Sequence, residues 1–260
     1  ARIFSLREAY VQTIDPVISF LQGKNQTFAR QICTPNFLPQ ASRFDALDDL
    51  EYAFGTMGMQ DKAKHLATLY LEDLSDFIVA CVDDNFGFSR YAERLGRSAN
   101  SFDELHNHLQ AAPTFIDNIT LQLLDEKLKA QPPKLICFSV PFPGNLYSAF
   151  RCAQYLKKNF PALKIAMGGG FPNTELRELK DPRVFDYFDF ITLDDGELPI
   201  ELLIQNLEVA EENRQYKRTF LLENGSVVYR NDSPRSDYKQ AEVGTPDYSD
   251  LPLRDYISVI

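Results

Sequence analysis

The sequence predicts an α/β protein whose second half forms a parallel sheet with helices on its faces. Three strand-like runs, "KLICFSV" from Lys134, "LKIAMGG" from Leu163 and "YFDFITL" from Tyr187, alternate with helix-like segments along the chain. Alternating strands and helices with short connections are typical of parallel βαβ units. The chain has 260 residues, of which 44% are hydrophobic, so it can bury a core of ordinary size.

The first half of the chain is expected to be helical. Apolar residues at helical spacing predict helices over residues 44–54, 66–81 and 115–128. Two pairs of the capping-box type, Ser5 with Glu8 and Ser101 with Glu104, predict where two other helices begin. Pro16 should interrupt or kink the first of these helices, because proline removes a backbone donor from the helix interior.

The second half continues from the three strands into a hairpin and a linker. The helix-like segments after the strands read "NLYSAFRCAQYLKKNF", "TELRELK" and "ELPIELLIQNLEVAEEN". Two further strand runs surround Asn224-Gly225, a pair that favours the tight turn of a β-hairpin. The expected organisation is a helical region at residues 1–131, an α/β domain at 132–214, and a hairpin with a linker at 215–260.

Composition and charge argue against several functions. A formal net charge of −10 does not suit a general nucleic-acid binder, which needs a basic surface for phosphates. No apolar run is long enough to predict a membrane span. The four cysteines are too widely spaced for an iron–sulfur cluster or a zinc ion, and they predict buried or half-buried free thiols in a reducing cytoplasm. The histidines are expected to be solvated helix residues and not metal ligands: His65, His106 and His108.

Small and bend-prone residues follow each of the three predicted strands. The loops read "SVPFPGN", "GGGFPN" and "DDGE". In an open parallel sheet, ligands bind beyond the carboxyl ends of the strands, and glycines let a ligand approach the backbone. Gly and Pro also simply end strands, but three such loops at one edge favour a binding site. The candidate binding residues are Ser139, Pro141, Phe142, Gly144, Asn145, Gly168, Gly169, Gly170, Phe171, Asp195, Gly196 and Glu197.

The stretch from about Pro133 to Leu207 resembles the cobalamin-binding domain at the front of many radical S-adenosylmethionine enzymes. That family shows a Ser after one strand and a Gly-Gly pair after the next, and Ser139 and Gly168-Gly169 stand in those places. Pro141 departs from the Leu of the family's SxL motif. Longer phrases such as "GGGFPNTELREL" and "DPRVFDYFDFITLDDGE" are also similar to a subgroup of these proteins. The resemblance covers about a third of the chain.

The resemblance implies a flavodoxin-like (Rossmann-like) three-layer sheet that holds cobalamin. The corrinoid's nucleotide tail would thread between Ser139 and the glycine pair, and the acidic loop with Asp195 and Glu197 would lie near the cofactor rim. The domain would position the corrinoid for methyl transfer or rearrangement, without catalytic residues of its own. A radical S-adenosylmethionine domain with a 4Fe-4S cluster would lie beyond Ile260 and would be its partner. The family's DxHxxG motif is absent, so no lower histidine ligand is expected.

Two other functions stay open at this point. The first is a nucleotide- or sugar-nucleotide-binding domain of a transferase, with the glycine amides as a phosphate nest. The second is a docking domain that has lost its cofactor. The acidic loop also has a simpler interpretation, because Asp195 or Glu197 near a helix N-terminus is expected to cap that helix.

Two structural expectations follow from the resemblance. A flavodoxin-like sheet usually has five strands, and only three parallel strands are predicted, so a βαβ unit is expected before Ala1, or helices in its place. The strand at 135–140 would then have a free edge. If a ligand passes the glycine loop, Gly169→Val should abolish binding while barely changing the fold.

Overall fold

The computed structural model describes residues 2–45, 55, 58–88, 90–97, 101–130 and 133–257. The chain divides into two compact units, one of residues 1–86 with 246–260 and one of residues 87–245. Within the described residues, no helix has the length and apolar character needed to cross a bilayer.

The first unit is helical, as predicted. Its α-helices are α1 (Arg2–Ser5), α2 (Arg7–Leu21), α3 (Ala29–Ile32) and α4 (Met59–Cys81), with 3-10 turns at Gln26–Phe28, Ser42–Phe44 and Leu253–Asp255. Helix α2 continues through Pro16. The N-cap residue of this helix is Leu6, and its side chain makes no capping hydrogen bond. The predicted capping box of Ser5 is therefore wrong, because Ser5 belongs to α1. Most of the predicted helix at 44–54 lies outside the described residues.

The second unit contains a five-stranded sheet in the order β1-β2-β3-β4-β5. The strands are β1 (Leu135–Ser139), β2 (Lys164–Gly168), β3 (Phe190–Thr192), β4 (Thr219–Glu223) and β5 (Ser226–Arg230). The first three strands are parallel, and the Asn224-Gly225 hairpin adds two antiparallel strands beside β3. The α/β class, the parallel start of the sheet and the hairpin are confirmed. The expectation that residues 1–260 do not complete five strands is wrong, because the hairpin joins the same sheet.

The described residues of the second unit also form seven α-helices. They are α5 (Glu93–Arg97), α6 (Asp103–Gln110), α7 (Phe115–Ala130), α8 (Pro143–Asn159), α9 (Gly170–Glu175), α10 (Glu197–Asn206) and α11 (Gln240–Val243), with 3-10 turns at Pro182–Asp186 and Glu211–Asn213. Helix α9 begins at Gly170, four residues before the predicted "TELRELK" helix. The predicted capping box of α6 does not form either: Ser101 accepts from the Asp103 amide, whereas Glu104 pairs with Arg94.

The two faces of the sheet are covered unequally. Helix α8 packs on the first face, where Phe150 and Leu156 join Ile165, Met167 and Ile191 in the main core. The second face carries a small cluster in which Leu203 of α10 meets strand residues, among them Ala166 and Leu221. This cluster leaves β1 largely open: Cys137 and Ser139 are exposed. Strand β1 pairs only with β2 within the described residues, so its other edge is free, as expected.

The start of helix α7 turns a different face inward from the one that its apolar spacing predicts. Phe115, Ile119 and Leu123 are exposed, with 63%, 44% and 59% of their surface accessible. Leu128 of the predicted stripe is buried in the main core, and the other buried residue is Asp117. The Asp117 carboxylate lies 3.0 Å from Arg151 Nε and accepts a hydrogen bond of 2.8 Å from Tyr147. A buried charge must keep its partner, so this ion pair holds the start of the helix with Asp117 inward and the first three residues of the stripe exposed.

Candidate functional site

The loops after β1 and β2 lie side by side at the carboxyl edge of the sheet. Ser139 and Gly168 are register partners in the two strands. Beyond them, the Val140 amide donates to the Gly168 carbonyl at 2.8 Å, and the Phe171 amide donates to the Val140 carbonyl at 2.9 Å. The structure thus brings together the serine and the glycines that the sequence singles out.

The glycines of the second loop are required by the chain itself. Gly169 has a φ of +104°, and a Cβ on it would lie 2.8 Å from Val140 N. A Cβ on Gly170 would lie 2.7 Å from the Pro141 carbonyl oxygen. Side chains do not fit at such distances, so the two loops touch backbone to backbone. The expectation that Gly169→Val barely changes the fold is therefore wrong.

The loop after β1 is part exposed and part covered. Phe142 has 68% of its surface accessible, and Asn145 is also exposed. Gly144 is buried, and a Cβ on it would lie 3.1 Å from Arg90 Cα. A Cβ on Gly96 would lie 2.5 Å from the Pro143 carbonyl oxygen. The segment before α6 thus packs closely on the start of α8, which leaves Ser139, Pro141, Phe142 and Asn145 as the exposed residues of this loop.

The acidic loop after β3 is fixed by Asp194 and not by the predicted Asp195. Asp194 has a φ of +59°. Its amide donates to Asn173 Oδ1 at 2.6 Å, and its carboxylate pairs with Arg177. Helix α10 starts after Gly196 with no side-chain cap, so the expected capping by Asp195 or Glu197 is absent. Asp194 therefore ties the β3 loop to the α9 region, while Asp195 and Glu197 remain exposed.

Arg218, which the sequence does not single out, anchors the same loop from β4. It precedes β4 with a φ of +44°, and its side chain is only 12% exposed. Its guanidinium donates to both oxygens of Asp237 at 2.7 Å and to the Asp195 carbonyl at 3.0 Å. Hydrogen bonds from Arg218 hold the pKa of Asp237 below its ordinary value. Because β4 is antiparallel to β3, the first residues of β4 lie at the carboxyl edge of the parallel strands. If this pairing had been known from the sequence, it would have indicated Arg218 as a site residue.

The second face of the sheet carries small residues near this edge. Alternate residues of a strand point to opposite faces. Since Ile136 and Phe138 pack on the main core, Cys137 and Ser139 face the other side. Gly168 lies beside Ser139 on that face, and a Cβ on it would lie 2.7 Å from Thr192 Oγ1. The result is an open strip of small side chains at the carboxyl ends of β1 and β2.

Phe171 belongs to the opposite face. It is 4% exposed and lines an apolar cavity of about 510 Å³ together with Leu146, Phe150 and Leu176. Its side chain is therefore part of the packing between α8 and α9. The predicted site residues that remain exposed are Ser139, Pro141, Phe142, Asn145, Gly170, Asp195 and Glu197.

Metal ligands are not grouped in the described part of the chain, where no cluster of three or more His, Cys, Asp or Glu side chains could hold an ion. His106 has a different role, because its Nδ1 lies 3.1 Å from the Tyr187 hydroxyl in the packing of α6. Comparison with known proteins found no matching family model, no matching curated protein and no matching solved structure.

Proposed function

We propose that the second unit is a cobalamin-type corrinoid-binding module of a radical S-adenosylmethionine enzyme. The observation that carries the proposal is the pairing of Ser139 with Gly168 at the carboxyl ends of two parallel strands. This pair lies on an open face whose side chains are small. The catalytic domain, with its 4Fe-4S cluster and S-adenosylmethionine, would lie outside this chain.

The strand order supports the proposal. Strands β1, β2 and β3 are parallel neighbours in chain order, which is compatible with part of a flavodoxin-like sheet. The loops after these strands lie at their carboxyl ends, where ligands of open parallel sheets bind. The antiparallel strands β4 and β5 depart from that fold class.

The residues of the open face fit the tail of a corrinoid. Cys137, Ser139 and Gly168 have small side chains or none, so they leave space along β1 and β2 for a flat group. The exposed hydroxyl of Ser139 can accept or donate a hydrogen bond, and Phe142 offers an exposed ring beside it. When bound, the corrinoid would supply the carbon–cobalt bond used in methyl transfer or rearrangement.

The two histidines of the second unit, His106 and His108, lie on α6, and the His106 ring contacts the Tyr187 hydroxyl. No histidine is assigned to the corrinoid. The protein would therefore hold the corrinoid through its tail and rim, and we expect the affinity to be modest.

A phosphate nest in the glycine loop has less support. Such a nest needs free backbone amides that point at the anion. The Phe171 amide already donates to the Val140 carbonyl, and the backbone of the β1 loop covers Gly169 and Gly170. A nucleotide-binding function would thus have to use other donors.

The test is equilibrium dialysis of the chain against hydroxocobalamin, with bound corrinoid measured by its visible absorbance. We expect saturable binding, and we expect Ser139→Trp to remove it by filling the open face. Ser226→Trp is the matched control, because Ser226 is also an exposed strand-end serine, located in the hairpin. Absence of binding in the unmodified chain, or equal binding by Ser139→Trp, would reject the proposal and favour the docking domain.

A further inference from the structure

A second cavity lies at the opposite end of the parallel strands and has no place in the proposed function. It has a volume of about 570 Å³, within the usual range for small-molecule sites. Phe190, Leu203, Leu207 and Tyr216 supply apolar and aromatic surface to its wall. Lys134 and Lys164, which adjoin the amino ends of β1 and β2, also line it. A planar apolar group can therefore lie against this wall.

The charges around this cavity favour an anion. Its lining includes three cations, Lys134, Lys164 and Arg214, and one carboxylate, Glu208. Lys134 pairs with Glu208 at 2.6 Å, and Lys164 pairs with Asp189 at 3.1 Å. Arg214 forms no ion pair with any residue that the structure describes, and its Nε donates to the Val209 carbonyl at 3.2 Å. In a chain with a net charge of −10, this is a local excess of positive charge.

The wall that carries Arg214 is held in place by buried hydrogen bonds. Asn206, which is 7% exposed, accepts from the Gln215 amide at 3.3 Å and donates to the Gln215 carbonyl at 2.9 Å. Tyr216 is 4% exposed, and its amide donates to Asp232 Oδ1 at 2.8 Å. The Tyr216 ring is held by its neighbours, because the Arg230 guanidinium lies 4.9 Å from the ring centroid and the Phe190 ring centroid lies 6.1 Å from it. The cavity is thus built before any ligand arrives.

We propose that this cavity binds a small aromatic acid. The ring would pack against Phe160, Phe190 and Leu207, which are the partly exposed apolar side chains of the wall, and the anionic group would pair with Arg214. Arginine suits this task because its planar donors match carboxylate, sulfonate and phosphate oxygens. The site is separate from the corrinoid face, since it lies at the amino ends of the strands.

The test uses 8-anilinonaphthalene-1-sulfonate, a fluorescent aromatic anion, as the probe. The chain contains no tryptophan, so Leu207→Trp places a sole tryptophan in the cavity wall, and Phe142→Trp places one at the carboxyl edge. We expect saturable energy transfer to the probe from Leu207→Trp and much weaker transfer from Phe142→Trp. Equal transfer from both reporters would show that the probe binds elsewhere and would overturn the proposal.

The role of the charge is tested by adding Arg214→Gln to the reporter chain. Loss of a charge-assisted contact should weaken binding of the probe at least about tenfold. Arg254→Gln is the matched control, because Arg254 lies in the first unit and changes the net charge equally. An unchanged affinity in Arg214→Gln would reject the site. If Leu207→Trp fails to fold by circular dichroism, Ala162→Trp, an exposed residue of the same cavity, replaces it as reporter.

Discussion

The two ends of the parallel strands differ in how the chain fills space. At the carboxyl ends, the loops of β1 and β2 approach so closely that a Cβ on Gly169 or Gly170 would lie within 2.8 Å of the neighbouring backbone. At the amino ends, the chain leaves a cavity of about 570 Å³. Glycine-rich loops mark the first end in the sequence, yet the space between these two loops is filled by their own backbones. A cluster of glycines therefore indicates close contact of backbones before it indicates room for a ligand.

The reason for the difference is the type of residue at each end. The carboxyl-end loops are short and rich in Gly and Pro, so they pack without side chains between them. The amino-end wall is made of large aromatic and cationic side chains, such as Phe190, Tyr216 and Arg214, which hold the backbone segments apart. A site cannot lie between these two loops, and the candidate site is therefore an open surface, the face that carries Ser139.

The strongest test of this comparison is a pair of glycine substitutions. Gly169→Ala should lower the free energy of unfolding by about 2–5 kcal/mol, the sum of backbone strain at φ +104° and ψ −170° and overlap with Val140. Gly244→Ala should cost only about 1–3 kcal/mol, because Gly244 has nearly the same dihedrals, φ +83° and ψ −171°, but no heavy atom within 4 Å of its Cβ position. Thermal denaturation of both variants, followed by circular dichroism, measures the difference.

The second variant of this pair is the control, because its glycine shares the backbone conformation of Gly169. Both glycines have a positive φ, so the difference between the variants isolates the contact between the loops. Equal losses of stability would mean that the β1 loop moves away at little cost. The space beside Gly169 would then be available to a ligand after all.

The strands and the hairpin could be predicted from the sequence because their signals are local. The apolar runs at 135–139 and 164–168 are bounded by turn residues, and Asn224-Gly225 specifies a tight turn by its left-handed dihedrals. The face that the start of α7 turns inward could not be predicted. It depends on the buried pair of Asp117 and Arg151, which are 34 positions apart, and local spacing carries no information on such a partner.

The candidate site was predictable only in part for the same reason. Ser139 and Gly168 follow directly from the ends of two parallel strands, and the structure pairs them. Asp194 and Arg218 come together because β4 is antiparallel to β3, and the sequence alone did not place the hairpin beside that strand. The cavity at the amino ends combines residues from 133 to 216 and has no sequence signature.

A second test compares two arginines, one at each end of the strands. Arg218→Gln should lower the free energy of unfolding by about 1–3 kcal/mol, because it removes the two bonds to Asp237 from a largely buried guanidinium. Arg214→Gln should change stability by less than about 0.5 kcal/mol, since Arg214 has no ion pair among the described residues. Urea unfolding of the two variants checks this order. The reverse order would mean that the amino-end wall, and not the acidic loop, is held by its arginine.

The smallest expected effect concerns Glu201, which lies on α10 between the two ends. Its carboxylate accepts from Arg235 at 2.8 and 2.9 Å and from the Tyr238 hydroxyl. Arg235 and Tyr238 lower the pKa of Glu201 from 4.5 to about 2. A folded-state pKa below the ordinary value means that the carboxylate stabilises the fold fully above pH 4.5. This contribution is lost as the pH falls through about 2.

Glu201→Gln should therefore lower the melting temperature at pH 6 and have progressively less effect as the pH falls from 4.5 to 2. The effect should be small, because exposed ion pairs contribute little and are screened by salt. Glu212→Gln is the control, since Glu212 is exposed and makes no ion pair within the described residues. Melting temperatures of both variants and of the unmodified chain, measured across this pH range, test the prediction. A loss that is equal at pH 2 and pH 6 would show that Glu201 acts by packing of its side chain and not by its charge. The link between α10 and the segment after the hairpin would then be independent of the protonation of this carboxylate.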